Sequence, residues 1–234
     1  MKKGKKIYEG KAKILFETDK PDLVLQEFKD DATAFDATKR GSIKQKGVIN
    51  NEISSALFRL LEAKGVPTHF VKKLSERGML VKRLDIILVE VTIRNISAGG
   101  LSKLLAIKEG IVLKNPVLEY HYKKDSLHDP LINDYHIEML GLATPKEMKK
   151  IKDYSFSINE ILKDFFNKAG LRLVDFKLEF GRHKRKLLLG DEISPDTCRL
   201  WDKKTNEKLD KDRFRRDLGR IEEAYQEVLK RIKA

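Results

Sequence analysis

Hydrophobic and polar residues alternate through much of the first third of the chain. The alternating segments are separated by Gly10 and by stretches 19–22 and 30–31, whose composition is typical of turns. The pattern predicts four strands, which cover residues 5–9, 13–18, 23–28 and 79–84. Because strands joined by short turns pair antiparallel, we expect them to form an antiparallel sheet.

A helical pattern lies between the third and fourth of these strands. Apolar residues recur at helical spacing from Ile49 to Leu61, and Gly65 follows them. The spacing predicts an amphipathic helix over residues 47–64 that packs on the sheet. These elements together predict a smaller α+β lobe over residues 1–84.

The pattern over residues 85–234 predicts a second, larger α+β lobe. A buried strand over residues 86–94 is followed by a glycine-bearing turn and a long irregular segment. Thr144 and Glu147 have the spacing of a capping box, which begins a helix over residues 147–169.

The tail of the chain predicts one further helix. Apolar residues recur at helical spacing from Phe214 to Ile232. Gly219 interrupts them at a cost of about 1 kcal/mol, which a long packed helix tolerates. Since no repeat or linker separates the two regions, we expect two lobes that share a cleft.

The most informative segment is a predicted strand over residues 173–181. Its apolar residues alternate with Asp175, Lys177 and Glu179. Successive side chains of a strand point to opposite faces, so one face is buried and the other carries an acid, a base and an acid.

A second apolar run predicts a hairpin with this strand, in one of two registers. A turn near Arg185 places Glu179 opposite Asp191. A turn centred one residue earlier pairs Glu179 with Gly190, and a bulge there would still present Asp191. Two carboxylates beside Lys177 suit a magnesium ion that nucleotide phosphates also hold. The alternative is a surface hairpin with ordinary salt bridges, but the polar run continues past the strand, which favours a site.

The composition is basic and poor in cysteine. The 234 residues include 49 Lys and Arg against 36 Asp and Glu, a net charge of +13, which favours anionic partners from nucleotides to RNA. The one cysteine, Cys198, excludes an internal disulfide framework. There is no secretory signal pattern and no apolar run near the roughly 20 residues of a membrane span. We therefore expect a soluble cytoplasmic protein with no membrane partner.

Two lysines follow a glycine turn near the start of the chain. Lys11 and Lys13 share one face of a strand after Gly10, an arrangement that complements polyphosphate. The alternative is a basic hairpin on a basic protein. Neither a P-loop nor a dinucleotide-binding glycine motif occurs, so any nucleotide site is of another kind.

A glycine turn follows the buried strand and leads into a short helical pattern. Free amides at such a turn, together with an arginine and hydroxyl groups, suit a phosphate monoester, although a turn that needs glycine for its geometry is the alternative. The residues that would contribute are Arg94, Ser97, Gly99, Gly100 and Ser102. A second arginine, Arg199, would close this pocket.

Residues 119–136 contain three of the five histidines. Zinc is one interpretation, but the irregular spacing and the lack of cysteine ligands favour a structured loop over a cleft. Asp36 lies in another polar loop, for which a turn with solvated lysines is the alternative.

These motifs in combination resemble the SAICAR synthetase family over nearly the whole chain. The segments that carry the resemblance are residues 8–13 (YEGKAK), 91–95 (VTIRN), 127–130 (LHDP), 174–181 (VDFKLEFG), 189–196 (LGDEISPD) and 199–202 (RLWD).

The resemblance implies a two-lobed α+β fold with antiparallel sheets and packed helices, similar to ATP-grasp and protein-kinase folds. It implies an ATP-dependent ligase of de novo purine biosynthesis. Such an enzyme activates the carboxylate of the ribotide CAIR as an acyl phosphate and joins it to the amino group of L-aspartate, which gives SAICAR, ADP and phosphate. Mg²⁺ and a homodimer are also implied.

The resemblance also assigns roles to residues. ATP would be bound by Lys11, Lys13, Lys82, Lys123 and Lys177. Magnesium would be held by Glu179 and Asp191, which together with Lys177 form the implied catalytic group. CAIR would be bound by Glu90, Arg94, Ser97, Gly99, Gly100, Ser102, Asp196 and Arg199. The candidates for the L-aspartate pocket are Asp36, His128 and Asp129.

One position departs from the family pattern, since many relatives carry a serine where this chain has Gly100. Backbone amides, Ser97 or Ser102 would then replace that hydroxyl group.

Two other classes of protein compete with this interpretation. Two lobes with a magnesium-binding strand are also typical of a kinase, but no His-Arg-Asp catalytic loop occurs. The positive charge is also typical of RNA-binding proteins, but the aromatic residues fall mostly on predicted apolar faces and no RNA-recognition motif occurs. We therefore expect no nucleic-acid partner.

Overall fold

A computed structural model describes residues 2–34 and 38–233, which fold into two antiparallel sheets, a small hairpin and several helices. The strands are β1 (Lys3–Glu9), β2 (Lys13–Thr18), β3 (Leu23–Phe28), β4 (Asp31–Ala34), β5 (Lys39–Ser42), β6 (Phe70–Lys73), β7 (Gly78–Lys82), β8 (Asp85–Ile96), β9 (Val112–Tyr122), β10 (Leu131–Ile132), β11 (Leu171–His183), β12 (Lys186–Leu189) and β13 (Cys198–Asp202). The helices are α1 (Lys46–Ala63), α2 (Gly99–Leu104), α3 (Asp134–Met139), α4 (Pro145–Lys168), α5 (Asp212–Arg215) and α6 (Ile221–Lys233).

The first sheet has the strand order β1-β2-β3-β7-β6, with every neighbouring pair antiparallel. Helix α1 packs on it and also contacts α6, so the C-terminal helix returns to the N-terminal sheet. The second sheet has the order β10-β9-β8-β11-β12, and β13 pairs with the start of β11. Helix α4 packs on β8 and β11. The prediction of antiparallel sheets with packed helices is confirmed.

A continuous apolar core connects the two sheets with their helices. Leu57 and Phe58 of α1 are fully buried, as are Ile158 and Leu162 of α4. Burial of a large apolar side chain contributes about 1.5–3 kcal/mol, so these helix faces hold the sheets in place. Within the described residues, no helix is long and apolar enough to span a membrane.

The two predicted amphipathic helices are confirmed with small shifts of their ends. The helix expected at residues 47–64 is α1, and the helix expected at 147–169 is α4. Thr144 and Glu147 form the predicted capping box, in which each side chain accepts a hydrogen bond from the other residue's backbone N–H.

The prediction of one continuous C-terminal helix is wrong. Residues between Phe214 and Ile232 form two helices, α5 and α6, with a turn at Gly219, whose φ is +65°. The Arg213 guanidinium donates hydrogen bonds to the carbonyl groups of Leu218 and Gly219 at 3.1 and 2.6 Å. This side chain satisfies carbonyl groups that helix continuation would otherwise use, so the turn is stable.

The prediction of a long irregular segment after the glycine turn is also wrong, because this segment contains the long strand β9. Pro116 has no backbone N–H to donate to a neighbouring strand, so the sequence around it resembles a loop. The register between β8 and β9 shifts between the pairs Arg94–Val117 and Ile96–Val112, and this irregularity accommodates the proline.

Glu147 offers a test of how local charge stabilises this fold. Its carboxylate binds the Arg182 guanidinium at 2.6 and 3.0 Å, and this partner lowers the pKa of Glu147 to about 2. A lowered pKa stabilises the folded state above pH 4.5, and the stabilisation disappears as the pH falls towards 2. Glu147→Gln should therefore lower the free energy of unfolding by about 1 kcal/mol at pH 7 and by less near pH 2. Urea unfolding measures this difference, with the exposed Glu138→Gln as control; an equal loss at both pH values would contradict the prediction.

Candidate functional site

A cleft of about 1280 Å³ is lined by residues of both sheets and of the β4–β5 hairpin. Its floor is one face of the second sheet, where side chains two residues apart point to the same side. The floor consists of Glu90, Thr92 and Arg94 from β8, His121 from β9 with Lys123 just after that strand, and Asp175, Lys177 and Glu179 from β11. Strand pairing places Glu90 between His121 and Glu179, and Arg94 opposite Asp175.

The hairpin between β11 and β12 adopts the second of the two predicted registers. Phe180 pairs with Leu189, and the Gly190 N–H donates to the Glu179 carbonyl at 2.8 Å. The turn lies at residues 184–185, both with positive φ, as in a two-residue hairpin. Asp191 then has a φ of +57°, and this left-handed residue brings its carboxylate beside that of Glu179.

Three lysines and four carboxylates form a lysine–carboxylate cluster at one end of the floor. Its members are Lys13, Lys123, Lys177, Glu90, Glu179, Asp191 and Glu192. The Lys177 ammonium contacts Glu179 at 2.7 Å, Asp191 at 3.0 Å and Glu90 at 3.3 Å. Lys123 contacts Glu179 at 2.8 Å, and Lys13 pairs with Asp191. One ammonium therefore connects the two carboxylates that the sequence singled out.

The pKa values of this cluster follow from burial and pairing. Burial alone would raise the pKa of Glu179, but the ammonium groups of Lys177 and Lys123 hold it below its usual range. Burial lowers the pKa of Lys13 to about 8, because Glu192 and Glu179 offset only part of the lost hydration. Glu179 is thus a carboxylate at neutral pH, which suits a cation ligand.

Two arginines form a second group, the arginine pair, at the other end of the floor. Arg94 and Arg199 both bind the buried Asp175, with N–O distances of 2.7 and 2.8 Å. Glu119 holds the remaining side of Arg94 at 2.8 Å, and Asp212 holds Arg199 at 3.0 Å. Buried guanidinium groups held by carboxylates in this way have fixed positions, as anion recognition requires.

The glycine turn before α2 lies directly against the arginine pair. Gly99 has a φ of +54°, and a Cβ there would lie 2.7 Å from Arg199 Cζ. A Cβ at Gly100 would lie 3.4 Å from Arg94 Nη2. Both the backbone conformation and the close approach therefore require glycine at position 99.

The two serines of this segment lie apart from the lining of the cleft. The Ser97 hydroxyl donates to the Lys108 carbonyl at 2.7 Å and accepts from the Ile111 N–H at 2.9 Å. It therefore fixes the loop that follows. The Ser102 hydroxyl is buried and has no hydrogen-bond partner among the described residues.

Asp196 lines the cleft, but other side chains already bind its carboxylate. Lys46 donates to one oxygen at 2.6 Å, and the Tyr225 hydroxyl donates to the other at 2.6 Å. Although burial opposes it, the ammonium groups of Lys211 and Lys46 hold the pKa of Asp196 below its usual range. This interaction joins the start of α1 to α6 and to the cleft.

Of the remaining predicted residues, Lys11, Lys82 and Asp129 also line the cleft, whereas His128 is not among its lining residues. Lys11 reaches Asp125 at 3.0 Å across it, and the Lys82 ammonium donates to the Thr68 carbonyl at 3.0 Å. The Asp129 carbonyl lies 3.1 Å from Nδ1 of His121. Asp36 lies outside the described residues.

Sequence reasoning missed several residues that organise the site. Asp175 was recognised only as part of a polar face, although it holds both arginines. Glu119 alternates with His121 and Lys123, a strand signal in a segment interpreted as irregular. Lys46 immediately precedes the helix predicted over residues 47–64, and nothing local indicates that it is fully buried against Asp196.

Within the described part of the chain, no group of three or more His, Cys, Asp or Glu side chains is arranged to hold a metal by itself. Tyr8 and Tyr135 are the exposed aromatic residues between positions 2 and 233, leaving 35–37 aside.

Comparison with known proteins identifies the family of this chain. The family model for SAICAR synthetase matches residues 6–232. A phosphoribosylaminoimidazole-succinocarboxamide synthase from Clostridium kluyveri is 58% identical over 232 residues, which is 99% of each chain.

Solved structures give the same result. The crystal structure of phosphoribosylaminoimidazole-succinocarboxamide synthase from Ehrlichia chaffeensis has a TM-score of 0.96 at 49% identity and covers 98% of this chain and 99% of its own. A SAICAR synthetase in complex with ADP has a TM-score of 0.94 at 50% identity, with 96% of each chain covered. Since both sequence and structure match over nearly the full length, the chain belongs to the SAICAR synthetase family.

Proposed function

We propose that this chain joins the carboxylate of CAIR to the amino group of L-aspartate in an ATP-dependent ligation that yields SAICAR, ADP and phosphate. Family membership supports this activity, as does a similar SAICAR synthetase that binds ADP. The chain is thus a carbon–nitrogen ligase of de novo purine biosynthesis.

One observation supports the site more than any other: the arginine pair and the lysine–carboxylate cluster lie on the same face of the second sheet. Asp175, which binds the arginine pair, and Glu179 of the lysine–carboxylate cluster are four residues apart on β11, a separation of about 13 Å in a strand. A ribotide has a phosphate at one end and a carboxylate at the other. Such a molecule would extend along the floor, with its phosphate at the arginine pair and its carboxylate at the cluster.

The reaction needs activation because a carboxylate is a poor electrophile. A carboxylate oxygen of CAIR attacks the γ-phosphorus of ATP, and ADP leaves. The amine of L-aspartate then attacks the acyl carbon, phosphate leaves with the bonding electrons, and the amine proton passes to solvent or phosphate. In our proposal, Lys13, Lys123 and Lys177 hold the polyphosphate oxygens during the first step, which positions the reactants and neutralises charge.

Magnesium is a further part of the proposal, and the residues present fit it. The cluster has four carboxylates against three ammonium groups, so without a cation it would repel a triphosphate. Mg²⁺ prefers one or two carboxylates together with phosphate oxygens and water, and Glu179 with Asp191 would supply those carboxylates. The bound ion would neutralise phosphate charge beside the lysines.

We assign the ribotide phosphate to Arg94 and Arg199, with the glycine turn around Gly99 and Gly100 as a source of backbone amides. Asp175 keeps both guanidinium groups in place. Glu90 belongs to the lysine–carboxylate cluster, and the imidazole ring is proposed to lie beside it. Ser97 has a structural role in this assignment, because its hydroxyl is already bonded on both sides.

Lys11 and Lys82 are proposed to border the nucleotide, and the connection from β7 to β8 would flank adenine. In this proposal residues 1–84 and 85–234 act as the two lobes of the cleft.

We also propose a cytoplasmic homodimer. The exposed apolar side chains at the end of α2 and the start of β9, Leu104, Leu105, Ile111 and Val112, support a protein contact there.

The overall reaction is tested by measuring ADP release and amide formation with each substrate omitted in turn. We expect the purified protein to form the amide only when ATP, CAIR and L-aspartate are all present. ADP release coupled to transfer of phosphate onto an unrelated hydroxyl substrate would instead indicate a kinase.

The magnesium assignment is tested with Glu179→Gln and Asp191→Asn. Each substitution removes one negative ligand, so the Mg²⁺ concentration for half-maximal activity should rise at least tenfold, and kcat should fall by about 10²-fold or more. The exposed Glu138→Gln is the control for a lost carboxylate. An unchanged magnesium requirement in both variants would remove these residues from the metal site.

The phosphate assignment is tested with Gly99→Ala. The added Cβ would displace the Arg199 guanidinium, so KM for CAIR should rise about tenfold or more while KM for ATP changes little. Gly110→Ala is a matched control, because Gly110 also has positive φ (+96°) but has no atom within 4 Å of its Cβ position. If both variants raise KM for CAIR equally, backbone strain rather than the arginine explains the effect.

A further inference from the structure

One histidine on the floor of the cleft has no role in the reaction steps above. His121 lies near the end of β9, where it pairs with Glu90 of β8 on one side and with Leu131 of β10 on the other. Its side chain is 23% exposed and lines the cleft. The ring can therefore exchange protons with solvent, and it lies close to the space that a substrate would occupy.

Both ring nitrogens of His121 face an acceptor. Nδ1 lies 3.1 Å from the carbonyl oxygen of Asp129, and Nε2 lies 3.5 Å from Oε2 of Glu119. A neutral imidazole has a single N–H and can donate to only one of these oxygens, whereas the imidazolium donates to both. The interactions with Glu119 and with the Asp129 carbonyl accordingly raise the pKa of His121 above its usual 6.5, although burial opposes them.

Glu119 connects His121 to the arginine pair. The carboxylate oxygen that faces His121, Oε2, also accepts a hydrogen bond from Nε of Arg94 at 2.8 Å. Burial would raise the pKa of Glu119, but His121 and Arg94 hold it below its usual range, so this group is a carboxylate at neutral pH. A positive charge on His121 therefore offsets part of the negative charge that Glu119 places beside Arg94.

The charges around the arginine pair are balanced without this histidine. The groups bound to one another there are Arg94, Arg199 and Arg215 with Glu119, Asp175 and Asp212. Arg216 also approaches Asp212, at 3.9 Å, but it is paired with Glu109. Three arginines against three carboxylates leave no net charge, and a ribotide phosphate adds about two negative charges. One further cation would make this group attractive to the dianion, and His121 can supply it.

We infer that His121, as an imidazolium, is a positioning residue for the ribotide phosphate, because it shares Glu119 with Arg94 and leaves that arginine freer to bind an anion; this inference rests on the proposed ligase function. The Asp129 carbonyl fixes the ring, so the charge stays beside Glu119. His121 touches no reacting atom in the proposed reaction. Its effect is therefore on the affinity for CAIR and not on the chemical steps.

Affinity for the ribotide should then depend on pH in one direction. Because the pKa of His121 is raised, its charged form is fully present below pH 6.5 and is lost as the pH rises through the raised value. KM for CAIR should therefore increase with pH above neutrality. Linkage is reciprocal, so bound CAIR should raise the pKa of His121 further.

Other charged groups share this part of the floor. They are Glu90 from β8, Glu119 from β9, Lys123 just after β9 and Asp129 from the following loop, while β10 presents the apolar Leu131. Lys13, whose pKa is about 8, also changes charge above neutrality. It belongs to the cluster assigned to polyphosphate, so its effect falls on KM for ATP and is the same in every variant of His121.

The test measures KM for CAIR between about pH 7 and pH 9, where the ribotide phosphate stays a dianion. His121→Gln can donate a hydrogen bond but never carries a charge, and His121→Lys carries a cation through this range. In the unsubstituted protein KM should rise about fivefold across the range, with kcat within about twofold. His121→Gln should have the high KM already at pH 7 and a flat profile, and His121→Lys should keep a low KM at both ends of the range.

His136→Gln is the matched control, because His136 is exposed, lies outside the cleft lining and occupies a capping-box position of α3 that glutamine also suits. It should reproduce the KM profile of the unsubstituted protein. Thermal unfolding checks that each variant is folded. An NMR titration of the His121 ring, assigned by comparison with the variants, should give a higher pKa when CAIR is bound, and this measurement keeps the test decisive if His121→Gln is unstable.

Equal pH profiles of KM in the unsubstituted protein and in His121→Gln would overturn the inference, as would a pKa of His121 that CAIR leaves unchanged. A KM for CAIR that His121→Gln raises by the same factor at every pH would indicate a purely structural role and would also overturn it. Failure of the unsubstituted protein to form the amide would refute the ligase itself, and that outcome is seen before any variant is compared.

Discussion

Strand β11 carries the buried Asp175 and Glu179 and the partly buried Lys177 on one face, and none of the three charges is stable there alone. Moving an ion out of water costs several kcal/mol, and only well-placed opposite charges offset this. Arg94 pairs with Asp175, while Lys123 pairs with Glu179. The positions of the neighbouring strands are therefore tied to the charges on β11, and the rest of the cleft is arranged around them.

This arrangement explains how one sheet presents two separate anion sites. Arginines surround Asp175 on β11, and lysines surround Glu179 four residues further along the same strand. Because their partners already hold these cations, the donors are positioned before a substrate arrives, and little reorganisation is needed during reaction. The net charge of +13 is a poor guide to this site, since the cations on the floor of the cleft are paired with carboxylates.

The same constraint links the cleft to distant parts of the fold. Lys46 begins α1 and is fully buried, and its partner Asp196 also binds Tyr225 of α6. Removing one member of such a buried group leaves an uncompensated charge, which costs about 3–5 kcal/mol. The C-terminal helix is thus tied to the cleft, although it has no substrate contact in our proposal.

The sequence alone determined the features that depend on local physics. The alternation along β11, the capping box of α4 and the apolar face of α1 follow from strand and helix periodicity, and the combined motifs indicated the family and its reaction. Only the tertiary structure decided the hairpin register, the strand β9 and the break at Gly219. Asp175 and Arg94 are far apart in sequence, and no local pattern predicts that they share a buried ion pair. Such contacts depend on which strands become neighbours, and that is fixed by packing of the whole chain.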